Sequence, residues 1–209
     1  MYTKPEFSAL SRENIFELIE RAMFATVVTN GPDGPVASHL PIILDKTRGA
    51  HGTLITHLAR ANEHSSLILE GLPTLVIFHG PHGYISSSWY PAQPVRDSAP
   101  TWNFAVVHAH GRPVLLDEAG LVRHLIQLVD ILEKGREKRW QLKELGAGGM
   151  GRRLPYIIGF EVPVDRLDAK FKMGQDERLY DTRSAIEALD GIDPELSNLM
   201  ERSNAHRKS

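Results

Sequence analysis

The sequence contains no cysteine, which excludes a disulfide framework, a thiolate zinc site and a cysteine nucleophile together. Long hydrophobic runs are missing as well. Its apolar stretches fall far short of the roughly 20 residues a membrane helix needs, so no membrane association is expected. No apolar run follows Met1-Tyr-Thr-Lys-Pro-Glu6 to make a signal peptide, and the expected location is cytoplasmic. Positive charge is not in surplus either: 24 Lys and Arg against 26 Asp and Glu leave a net charge of −2. Nucleic-acid binding draws on clustered Lys and Arg, and the short tail His206-Arg-Lys208 is a weak substitute. Strong direct DNA binding is therefore not expected. What remains is an ordinary composition, 42% hydrophobic and 24% charged over 209 residues, which fits one domain over residues 1–209. Helical segments are expected at about 117–145 and 182–203.

Aromatic residues make up only 7% of the chain, yet they cluster. The stretch His79–Gly111 holds four of ten histidines, two of three tryptophans and two of five tyrosines. Two extended segments there flank a proline-bearing loop at Pro91–Pro100. On the second segment, strand alternation puts Trp102, Phe104, Val106, His108 and His110 on one face. Thr101, Asn103, Ala105, Val107 and Ala109 form a small opposite face that would admit a planar ligand. His108-x-His110, with His79-x-x-His82 nearby, offers nitrogen ligands, but no carboxylate lies among them, and no metal site is expected.

Elsewhere the pattern is strand and turn. Ser11 caps a first helix whose stripe runs through Phe16, Ile19 and Met23. Phe24–Asn30 and Val36–Leu44 are strands joined by Gly31-Pro-Asp-Gly34. Pro41 lacks an N–H, so its strand lies at an edge or carries a bulge there. Gly52–His57 and Pro73–His79 are further strands. Between them Arg60 and Asn62, the N-cap of a helix over about Glu63–Glu70, make either an anion site or a solvated turn. Asp117 caps a helix with an apolar face, Arg136–Leu145 reads as a second charged helical segment, and Tyr156–Met173 returns to strand. Asp193-Pro194 starts the last helix. Gly146–Gly151 formally matches a dinucleotide fingerprint but follows a helix rather than a strand, and it reads as a linker. Six or seven strands in hairpin-like succession predict a mainly β, antiparallel barrel with peripheral helices.

Ser38-His-Leu-Pro41, Thr56-His-Leu-Ala-Arg-Ala-Asn62, Gly80-Pro-His-Gly-Tyr-Ile-Ser86, Ser88-Trp-Tyr-Pro91, Pro100-Thr-Trp-Asn103, Val107-His-Ala-His-Gly111 and Lys170-Phe-Lys172 resemble the PaiB family of FMN-binding negative transcriptional regulators. Ser87, Phe104, Leu145–Arg153 and Gly174-Gln175 depart from its pattern. The resemblance implies an FMN-binding split β-barrel and a homodimer with FMN in a cleft shared by two subunits. The FMN phosphate would meet Arg60 and Asn62, and the ring would run along Ser38, His39, Leu40 and Pro41 with Thr56 and His57. Trp102, Asn103 and Lys170 or Lys172 would close the cleft. An FMN-dependent oxidoreductase, of the flavin-reductase or pyridoxamine-phosphate-oxidase kind, is the alternative function. A haem-binding or haem-degrading split-barrel protein is a third.

Overall fold

The computed structural model describes residues 1–91 and 98–207. Most of the loop expected at Pro91–Pro100, and Lys208, lie outside the described residues. Eight strands and five α-helices follow one another: α1 (Arg12–Arg21), β1 (Phe24–Gly31), β2 (Gly34–Pro41), β3 (Ile43–Asp45), β4 (Thr53–Ala59), α2 (His64–Leu69), β5 (Thr74–Ile85), β6 (Thr101–Gly111), β7 (Val114–Leu115), α3 (Glu118–Leu132), β8 (Ile157–Lys172), α4 (Leu179–Asp190) and α5 (Pro194–Asn204). The hydrogen-bonding order is β2-β1-β5-β6-β8-β4-β3, with β7 on β8. The β1–β2, β1–β5, β3–β4, β4–β8 and β7–β8 pairings are antiparallel. Among the described residues the sheet is not closed by hydrogen bonds, but the chain passes from one end of this order to the other through Ile42, between β2 and β3. Pro41 is the last residue of β2, opposite Phe24, and the Ile42 amide beyond it still donates to the Met23 carbonyl at 2.8 Å.

By internal contacts the chain divides into two compact units. The first comprises Met1–Ala22, Phe78–His108 and Asp168–Ser209, and the second Met23–Ile77 and Ala109–Leu167.

In the second unit, Gly31 pairs with Gly34 across the two-residue turn Pro32-Asp33. Gly34 takes φ 124°, a conformation that disfavours any residue with a Cβ. Strand alternation turns Ala25, Val27 and Thr29 inward beside Leu54, Leu58, Val76 and Phe160, all of them buried. The helix α3 starts where Asp117 accepts a hydrogen bond from the Gly120 amide at 2.7 Å. It buries Leu121, His124 and Leu128. Gly159 faces this helix, and a Cβ built there would meet Leu121 Cδ1 at 2.9 Å. Glycine at this position therefore lets α3 approach β8 closely.

In the first unit, Ser11 accepts from the Asn14 amide at 3.3 Å and α1 buries Phe16, Leu18 and Ile19. Asp193 caps α5 by accepting from Leu196 N at 3.0 Å, with Pro194 in the first turn and Leu196 and Met200 fully inside.

Several expectations change in detail. Eight strands lie among the described residues rather than six or seven. The charged helical segment expected over Arg136–Leu145 is not helical over most of its length: α3 stops at Leu132, and only Leu142–Leu145 forms a single 3-10 turn. Those residues are largely exposed and present no apolar stripe to bury, so helix propensity alone does not hold them. The segment 182–203 is two helices, α4 and α5, separated by Gly191–Asp193.

Candidate functional site

The residues expected to line a ligand site fall into two groups, one in each unit. Those of the second unit form a network. Asn62 Nδ2 donates to Ser38 Oγ at 3.2 Å, and His64 Nδ1 lies 3.0 Å from the same oxygen. Asn62 Oδ1 accepts from the His64 amide at 2.9 Å, so Asn62 caps the first turn of α2 although the helix proper begins at His64. Thr56 Oγ1 donates to the Pro41 carbonyl at 2.8 Å. This bond ties β4 to the point where β2 ends, and it satisfies a carbonyl left there by the interrupted ladder. Ser38, Thr56 and His64 are buried, Leu40 is also inward, and His39 is exposed with its Nδ1 3.1 Å from Thr26 Oγ1.

Arg60 lies in the turn after β4 and is exposed. Its Nε donates to the Pro155 carbonyl at 2.9 Å and its Nη2 to the Ile157 carbonyl at 3.3 Å. These two bonds orient the guanidinium and leave Nη1 without a hydrogen bond among the described residues. A cavity of about 330 Å³ adjoins it, walled by Leu69, Leu115, Leu121, Leu154 and Ile158 and bearing Asp117 and Glu118. A fixed guanidinium with one uncommitted edge suits a phosphate or carboxylate.

Consecutive residues of a strand face opposite ways, and this separates Thr56 from His57. Thr56 points inward, whereas His57 is half-buried with its Nδ1 3.0 Å from His124 Nε2. Their ring centroids are 5.2 Å apart at 61°. Burial pulls the pKa of both rings down, that of His124 to about 4, helped by the neighbouring His57. Burial likewise lowers the pKa of His64. Neither His124 nor His64 was among the expected site residues. The signal was present in one case: His124 stands at helical spacing between Leu121 and Leu128, in the buried stripe of α3.

The four residues of the first unit are differently placed. Asn103 is 1% exposed, with its Nδ2 3.5 Å from Met200 Sδ. Lys170 Nζ sits within 5.2–5.6 Å of the ring centroids of Tyr2, Phe7 and Phe104. Lys172 donates to Thr101 Oγ1 at 2.5 Å, and partial burial lowers its pKa. Trp102 is 52% exposed and stacks on His82 at 6.0 Å. The small face of β6 does not admit a planar ligand. Asn103, Ala105, Val107 and Ala109 are buried in protein, and Gly80 packs within van der Waals reach of Ala105 and Leu18. A groove of about 610 Å³ in this unit is lined by His79, His82, Phe171 and the paired Glu17, Arg21, Glu195 and Arg202. Among the described residues, no three His, Asp or Glu side chains converge as a metal site would require, and no helix is long and apolar enough to cross a membrane.

The mainly antiparallel sheet of the described residues, with its external helices, has the split-barrel fold. Among solved structures it is similar to the flavocytochrome Anf3 from Azotobacter vinelandii, with a TM-score of 0.61 and 16% identity over 83% of this chain and 73% of that one. It is also similar to the FAD and heme binding protein from Mycobacterium smegmatis, at 0.57 and 17% over 85% and 78%. Residues 1–166 match the family described as "Putative FMN-binding domain". The protease synthase and sporulation protein PAI 2 of Bacillus subtilis is 32% identical over 90% of this chain and 89% of its own. The chain belongs to the PaiB family of FMN-binding domains.

Proposed function

We propose that this protein binds FMN in its second unit and serves as a PaiB-like negative regulator of transcription acting through that flavin site. The observation that carries the site is Arg60, whose guanidinium is held by two backbone carbonyls with Nη1 left over for an anion. The residues fit the group. Arg60 takes the phosphate, the interrupted strand at Pro41 and the Ser38–Asn62–His64 network give the ring a rigid polar margin, and His57 adds a ring nitrogen. FMN, when bound, supplies one- and two-electron redox chemistry, and the chain's part is to bind it, orient it and keep water away.

The regulatory role rests on family membership. Direct contact with DNA is expected to be weak. The chain carries a net charge of −2, and in its most basic stretch Arg136 is paired with Glu133 and Arg139 with Asp130. The working form is a cytoplasmic homodimer, for which light scattering should give twice the 23.3 kDa chain mass; a monomer at micromolar concentration would contradict it. Mobility-shift titrations on the protein's own upstream region, with and without FMN, test the regulator. The expected result is salt-sensitive binding far weaker than the about 10⁻⁸–10⁻¹¹ M of specific DNA-binding proteins. Tight, sequence-specific binding would make the protein a direct repressor. Rapid reduction of its FMN by NAD(P)H would instead make it an oxidoreductase.

A further inference from the structure

We propose that His124 is a positioning residue that locks His57 as a neutral imidazole, with its proton on Nε2, so that His57 offers a fixed N–H donor to a hydrogen-bond acceptor on the bound ligand. Gly159 pairs with His57 across β4 and β8. Having no Cβ, it lets Leu121 of α3 come close, and His124, one turn along the same helix face, then meets the His57 ring.

The contact joins Nδ1 of His57 to Nε2 of His124 at 3.0 Å, so one of these atoms carries the proton and the other accepts it. The far nitrogen of His124, Nδ1, is buried and has no partner among the described residues. If His57 were the donor, the single proton of His124 would sit on that Nδ1, and a buried N–H would have no acceptor. Orphaned buried N–H groups are rare in native structures because they forfeit a hydrogen bond held in water. With His124 as donor, both rings adopt the Nε2–H form, the one imidazole side chains favour in water, and only a lone pair is left unmatched.

His57 is half-buried, and its Nε2 makes no hydrogen bond among the described residues. Its N–H therefore points to whatever seats against that face of β4. Burial disfavours the imidazolium of both rings, and holds the pKa of His124 near 4. The site thus selects an acceptor, a carbonyl oxygen or an unprotonated ring nitrogen, and disfavours a second donor. In the flavin reading on which this part rests, the acceptor belongs to the pyrimidine edge of the ring.

Long-range proton–nitrogen NMR of the histidine rings in ¹⁵N-labelled, flavin-free protein tests the tautomer without any ligand. The result expected is a protonated Nε2 and a bare Nδ1 for both His57 and His124. A protonated Nδ1 on His57 would overturn the proposal, and because this reading uses the wild-type chain it stands even if a variant fails to fold. His124→Leu should return His57 to a mixture of tautomers, whereas His124→Gln, whose amide N–H can take the Nε2 place, should restore the single form. Adding FMN should shift the His57 Nε2–H resonance. His124→Leu should weaken FMN binding by roughly two- to tenfold, the scale of one neutral hydrogen bond. If the tautomer is as stated but FMN leaves His57 unmoved, the ligand half of the proposal falls while Arg60 remains a phosphate site.

Discussion

His57, His64 and His124 share a property that a sequence does not display: burial lowers the pKa of each. For His124 the folded pKa lies near 4 against 6.5 for the free ring. The folded state therefore binds fewer protons than the unfolded chain between these values, and stability is lost as pH falls through that window. The contribution is fully present above about pH 6.5. From His124 alone the loss between pH 6.5 and 5 should be about 1.5 kcal/mol, and urea unfolding at the two values measures it. His124→Leu should flatten the profile; an unchanged pH dependence would show that another group sets it. His64 was legible only as one residue of a short helix. Its bond to Ser38 Oγ depends on α2 lying beside β2, a distance of 26 positions along the chain. Ser38, Asn62 and Arg60 were proposed from the sequence because each sits next to a local signal, a proline break or a strand–turn–helix junction.

Among the elements, those with local chemistry of their own were readable in advance. Ser11, Asp117 and Asp193 each cap the helix they precede, and the Gly31–Gly34 turn sets the β1–β2 register. The failures came where tertiary packing decides. The charged segment Arg136–Leu145 had no buried face to hold it helical. The small face of β6, read as room for a ligand, is the core itself, since small residues let Gly80 and Leu18 approach. The same principle makes Gly159 a sensitive position. A methyl group there would press on Leu121 at 2.9 Å and push α3 away from the sheet. Gly159→Ala should destabilise the chain by roughly 1–3 kcal/mol, the usual cost of overpacking. It should also loosen the His57–His124 bond. A variant as stable as wild type, with both histidine tautomers intact, would show that α3 has slack.

At the scale of the whole molecule, the family is secured by a match over residues 1–166 and by a relative sharing 32% identity across nearly the full chain. The sequence motifs pointed to that family, yet they grouped twelve residues into one site. Eight of them are gathered around β2, β4 and the Arg60 turn, while Asn103, Lys170 and Lys172 are already engaged by Met200, by three aromatic rings and by Thr101. Motif spacing cannot show whether a side chain is free or committed, and this is why the site was legible only in part. In the proposed site Arg60 holds the phosphate of FMN. This assignment is tested most directly by titrating FMN and riboflavin, which lacks the phosphate, into wild-type protein and Arg60→Ala. Loss of a charge-assisted hydrogen bond is worth about 1.5–3 kcal/mol. Wild type should therefore prefer FMN by roughly ten- to a hundredfold, and the variant should lose that preference with riboflavin affinity little changed. Equal preference for FMN in both proteins would contradict the account.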